Sequence, residues 1–91
     1  GMAWPDDGPE DDDAHDDQQR IAFIRDHLAA ARRAMDAGVN LKGFFYWSLL
    51  DNYEWAFGYE RRFGLVHVDF ETLKRRPKAS WRAFHRALAV R

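Results

Sequence analysis

Ninety-one residues, 46% hydrophobic and 32% charged, fit one small globular unit whose own buried surface stabilises it only marginally. The absence of cysteine excludes disulfides, zinc-thiolate sites, iron–sulfur clusters and a thiol nucleophile, and no apolar run approaches the roughly 20 residues of a membrane helix. Net charge is −1, yet all eight acidic residues of the first 17 precede the first basic residue, Arg20, and the rest carries 14 basic against seven acidic residues. A basic body with an acidic tail can suggest nucleic-acid binding, but the basic residues are scattered and the aromatics sit elsewhere. A solvated acidic loop followed by amphipathic helices is the better reading, with no nucleic-acid or membrane partner.

Residues 1–16 combine Pro5, Gly8 and Pro9 with the acidic cluster and read as an exposed loop. The aspartates from Asp11 to Asp17 lack the Gly and Glu positions of a calcium-binding EF-hand, so they and His15 are assigned no metal. From 17 to 37 the pattern is helical: Ile21, Ile24, Leu28, Ala31 and Met35 recur at alternating spacings of three and four. Asp16 or Asp17 is expected to cap this helix, and Gly38 to stop it.

Residues 43–50, Gly-Phe-Phe-Tyr-Trp-Ser-Leu-Leu, form a nearly continuous apolar run without alternation, as in a strand buried on both faces of a parallel sheet or barrel. Polar residues Asp51 to Glu54 break it, and a long loop to residue 76 follows, with a short β-like stretch at Leu65–Val68. A last helix is expected over 77–89, opening at Pro77 and burying Trp81, Phe84 and Leu88. This is α/β grammar with a single core strand, which lacks neighbours on both edges and reads as part of a larger fold.

In parallel α/β folds ligands bind at the carboxyl ends of strands, here Trp47 to Trp55. Two indoles, Glu54, Asp51 and Asn52 suit a sugar: flat rings pack on C–H faces, and one carboxylate accepts from vicinal hydroxyls. By residue type alone, aromatic core packing and a ligand site both stay open. His67 and His85 are read as structural or surface residues.

The run Trp47-Ser48-Leu49-Leu50-Asp51-Asn52-Tyr53-Glu54-Trp55, then Gly58-Tyr59 and Arg62-Phe63-Gly64-Leu65-Val66-His67-Val68-Asp69, resembles the eighth strand and following loop of glycoside hydrolase family 1, the retaining β-glucosidases and their relatives. Asp17-Gln18-Gln19-Arg20 with Arg25-Asp26-His27-Leu28 is similar to its seventh helix, and Pro77-Lys78-Ala79-Ser80 to the opening of its eighth. The resemblance implies an α/β fold, the C-terminal portion of a (β/α)₈ TIM barrel that is incomplete as an independent fold. It implies a β-glucosidase acting on terminal β-D-glucosyl residues by a two-carboxylate mechanism, without a cofactor.

Carried over by position, Glu54 resembles the carboxylate that binds two outer hydroxyls of the −1 sugar, Trp47 the platform beneath it, Trp55 an indole donating to a hydroxyl, and Phe63 an aromatic wall. Both catalytic glutamates are expected upstream of Gly1, so the chain alone is expected to be inactive and not stably folded. Asp51 is expected to anchor the loop. Family branches acting on 6-phosphorylated sugars replace the carboxylate at Glu54, which therefore favours an unphosphorylated glycone. The alternative is a non-catalytic sugar-binding or complementing module. A third reading is an acidic-tailed interaction protein. The lack of cysteine fits a cytoplasmic location.

Overall fold

The computed structural model describes residues 1–3 and 16–89. The acidic residues from Asp6 to Asp13 and His15 lie outside the described residues, as does most of the loop expected over 1–16.

Helix α1 spans Gln18–Asp36. It is rich in Ala, Arg and Gln, which lose little rotamer freedom in a helix. Of its apolar stripe, Ile24 is buried, Ile21, Leu28 and Ala31 are half-buried, and Met35 is exposed. The helix stops as expected: Ala37 and Gly38 donate their N–H groups to Arg33 and Met35 carbonyls, and Gly38 takes φ +104°, a left-handed conformation that Gly enters without a Cβ penalty.

Asp17 does not cap α1 with its side chain. Its carboxylate instead crosses to the last helix, α2 (Ala79–Ala89), accepting from the Ser80 N–H at 2.9 Å and the Ser80 hydroxyl at 2.6 Å. It also pairs with Arg20 one turn into α1. A carboxylate that meets the free N–H groups and positive dipole end of α2, together with a guanidinium, gains more than one capping bond at its own helix. α1 and α2 pack side by side around this contact.

The expected strand over 43–50 forms no ladder with a neighbour among the described residues. Among the described residues its only bridge is a parallel pairing of Leu50 with Val66, flanked by Ser48 N–H to Phe63 O, Leu65 N–H to Ser48 O and Val66 N–H to Leu49 O. Nor is it buried on both faces: Phe44 and Leu49 are exposed, and Phe45 is 97% exposed. Strand character needs hydrogen-bonding partners on its edges, and residues 63–66 are all that the described residues offer it.

The β-like stretch is strand β1 (Val66–Val68), fully buried and paired antiparallel with β2 (Arg75–Pro77), with Val66 opposite Pro77 and Val68 opposite Arg75. Asp69 closes the connecting turn, its carboxylate accepting from the Glu71 and Thr72 N–H groups at 2.9 and 3.2 Å. Pro77 therefore ends an exposed edge strand and does not open the helix. That role starts at Lys78, whose carbonyl accepts from Trp81 and Arg82.

The buried apolar residues are Ile24, Leu65, Val66 and Val68, fewer than the buried polar ones, which include the fully buried Arg20 and Lys78. Between residues 44–49 and α2 an open apolar groove of about 320 Å³ is lined by Phe44, Phe45, Leu49, Leu65, Trp81 and Phe84.

Candidate sugar-binding site

Asp51 is the origin of the site. Its carboxylate is fully buried and accepts four bonds: from Gly64 N–H at 2.9 Å and Lys78 Nζ at 3.1 Å on one oxygen, and from Arg62 Nη1 at 2.7 Å and Val68 N–H at 3.3 Å on the other. Burial alone would raise its pKa, but the Lys78 ammonium and the bonds from Arg62, Lys78 and Gly64 outweigh this and hold it below the ordinary carboxylate value. The expected anchoring of the loop by Asp51 is thus present, and two cations unforeseen from sequence share in it.

Close approach at Gly64 makes this possible. A Cβ there would lie 2.3 Å from Asp51 N and 2.6 Å from Leu50 C. The backbone ends of loop 52–63 therefore meet in direct contact. Arg62 also donates to Val68 O at 2.9 Å and lies over the Phe70 ring at 4.5 Å, and Phe70 packs on Tyr59.

Within the loop, Glu54 N–H donates to Gly58 O at 2.7 Å, closing a tight turn around the 3₁₀ helix Trp55–Phe57. The Glu54 residue is only 8% exposed, and its carboxylate accepts from the indole Nε1 of Trp47 at 3.1 and 3.3 Å to its two oxygens. Trp47 is 55% exposed, so its ring offers a face while its N–H is engaged. Trp55, at φ +50°, is 83% exposed. Phe63 is half-buried and meets Trp47's neighbour through its carbonyl, which accepts from Ser48 N–H. Two of the four residues singled out from sequence, Trp47 and Glu54, thus touch directly. Trp55 follows Glu54 in the same turn, and Phe63 stands at the loop's far end.

Residues 1–3 are held near this region. Arg20 donates from Nε to Met2 O at 3.1 Å and from Nη2 to Arg62 O at 2.8 Å, and Met2 N–H reaches the Tyr46 hydroxyl at 3.5 Å. Burial pushes the Tyr46 phenol up, against the opposing Arg20 charge. His67 is buried in β1 and His85 is exposed on α2, stacked on Trp81 at 5.3 Å. Among the described residues there is no cluster of three metal-ligating side chains, and no helix is long and apolar enough to cross a membrane.

The sequence matches glycosyl hydrolase family 1 over residues 1–90. It is 55% identical over 65 residues to β-glucosidase A of Acetivibrio thermocellus, covering 71% of this chain and 14% of that protein. It is 52% identical over 65 residues to a 6-phospho-β-galactosidase of Streptococcus equi subsp. zooepidemicus, again 71% of this chain and 14% of the relative. The structure superposes with TM-score 0.89 and 43% identity on the Thermotoga maritima β-glucosidase in complex with castanospermine, over 98% of this chain and 20% of that one. The chain therefore spans about a seventh to a fifth of the length of these proteins, and corresponds to part of their (β/α)₈ barrel.

Proposed function

Because the chain belongs to glycosyl hydrolase family 1, we propose that it forms the wall holding the non-reducing sugar of a retaining β-glucosidase. The observation that carries this reading is the Trp47–Glu54 pair: a buried carboxylate oriented by an indole N–H, beside two exposed indole faces. One donor leaves each carboxylate oxygen further lone pairs, enough to accept from two neighbouring hydroxyls. The half-exposed ring of Trp47 packs against the sugar's C–H face, Trp55 donates to a hydroxyl, and Phe63 walls the pocket.

Retaining cleavage needs a nucleophile and an acid/base carboxyl group about 5–5.5 Å apart. Neither acidic residue of this site is available for those roles. Asp51 is enclosed by two cations and two N–H groups, and Glu54 is committed to binding. The segment binds and orients; the reacting carboxylates belong to the rest of the barrel, and residues 1–91 alone do not hydrolyse glycosides. A phosphate on the sugar's outer oxygen would meet the Glu54 carboxylate and be repelled, so the substrate is an unphosphorylated glucoside. This matters because relatives of similar identity carry names of both kinds.

The test replaces the matching segment of the Thermotoga enzyme with residues 1–91 and follows hydrolysis of aryl β-glucosides. The chimera should cleave the glucoside and discriminate against its 6-phosphate. Glu54→Gln weakens two charge-assisted hydrogen bonds to neutral ones, lowering kcat/KM about 100-fold. An unchanged Glu54→Gln chimera, or preference for the 6-phosphate, would refute the reading. The exposed apolar groove beside α2 favours a second reading, a complementing module. It is supported if residues 1–91, mixed with the Thermotoga barrel lacking its segment, restore hydrolysis in trans.

A further inference from the structure

A fully buried ammonium is costly to desolvate and persists only where its partners require it. Lys78 is such a group, and its partners are specific. Nζ donates to Asp51 Oδ1 at 3.1 Å and to the Gly64 carbonyl at 2.7 Å. Those two residues are the first and last supports of loop 52–63, so one ammonium touches both ends of the loop that carries Glu54, Trp55 and Phe63. Arg62 also reaches Asp51, but it belongs to the loop itself and moves with it. Lys78 belongs to the scaffold: it stands between β2 and α2, and its N–H donates to Leu65 O at 2.9 Å.

We infer that Lys78 is a positioning residue for sugar binding, stapling the mouth of loop 52–63 so that Glu54 sits at hydrogen-bonding distance from Trp47. The inference rests on the sugar-binding role proposed above for Glu54. Glu54 lies three residues beyond Asp51, and a shift of the loop mouth passes along this short path to the carboxylate. The cation must be buried because Asp51 and Gly64 are, and it must be long because it reaches them from outside the loop. Neither property is needed merely to start α2, to whose first turn Lys78 contributes its backbone carbonyl and Asp17 its carboxylate.

The test is a double-mutant cycle in the active chimera, measured as kcat/KM on an aryl β-glucoside and as inhibition by castanospermine. Lys78→Met should lower kcat/KM and raise the inhibition constant by about 10- to 100-fold when Glu54 is present, and by less than about 3-fold in the Glu54→Gln background, because residues acting through one contact are not additive. A purely structural role would give effects that multiply. Multiplicative effects, or a silent Lys78→Met, would overturn the inference while leaving the role of Glu54 standing. A silent Glu54→Gln would instead remove the sugar-binding reading and this inference with it. Should Lys78→Met yield no folded protein, Lys78→Gln keeps a donor within the cavity. The same cycle then decides, coupling supporting the staple and multiplication refuting it.

Discussion

Two glycines offer a controlled comparison, because the same substitution fails for different reasons at each. At Gly64 a methyl group would lie 2.3 Å from Asp51 N, 2.6 Å from Leu50 C and 2.7 Å from Asp51 Oδ1. Two of these are backbone atoms, fixed by the Asp51 N–H bond to Val66 O and the parallel bridge at Leu50. Relief requires separating the two ends of the loop, which breaks the Gly64–Asp51 bond as well. Overpacking in a firm site costs about 1–3 kcal/mol, and the lost bond to a buried carboxylate adds about 1.5–3, so Gly64→Ala should cost about 2.5–6 kcal/mol. At Gly38 nothing lies within 4 Å of the added atom, and only the φ of +104° opposes it. That strain of about 1–2 kcal/mol is partly offset by the stiffer unfolded chain, for a net cost near 1 kcal/mol. Urea denaturation of the chimeric barrel, followed by fluorescence, measures both. Gly64→Ala should also lose most hydrolysis, whereas Gly38→Ala should keep it. Equal costs, or a Gly64→Ala loss below about 1 kcal/mol, would refute the account of the loop mouth given above.

Asp17→Ala breaks the buried Arg20–Asp17 pair and removes the acceptor of the Ser80 N–H; in the same barrel it should cost about 3–5 kcal/mol by urea midpoint, and a cost under about 1 would contradict the assigned contact. The depressed pKa of Asp51 fixes a sign for acid sensitivity. Its contribution is fully present above the ordinary value of 3.8 and is lost as pH falls from there through the folded pKa. Stability should therefore drop below about pH 4, and Asp51→Asn should flatten that drop while lowering stability near neutrality; an unaltered acid limb would count against Asp51 as its source.

Much of the helical architecture was legible because periodicity reports burial. The stripe from Ile21 to Met35 and the stop at Gly38 found α1 within one residue at each end. The pattern was less informative where structure depends on partners distant in sequence. Residues 43–50 carry the composition of a buried strand, yet pairing belongs to two segments, and composition cannot supply the second. β2 was missed because Arg75-Arg76-Pro77 is wholly exposed and has no apolar alternation to betray a strand. At the site, Trp47 and Glu54 received roles by type and by family resemblance, whereas Lys78, Arg62 and Arg20 fell within the resembling runs without one. A charged residue in a sequence is read as a surface residue by default, and its burial becomes visible only when a carboxylate 27 residues away arrives to meet it.

The contact between Asp51 and Gly64 separates two kinds of sequence freedom. The scaffold grips loop 52–63 at its two ends, at Glu54 through Trp47 and at Tyr59 through Phe70, and leaves Arg61 to a contact within the loop. Lengthening a closed loop adds little entropy cost, about 0.6 kcal/mol for each doubling. Insertions between Glu60 and Arg61, beyond the turn that fixes Glu54, would thus change the exposed rim of the loop without disturbing the scaffold. Changes at Asp51, Gly64 or Lys78 would disturb both. A loop arranged this way can drift in one short exposed stretch while three residues keep its ends in register.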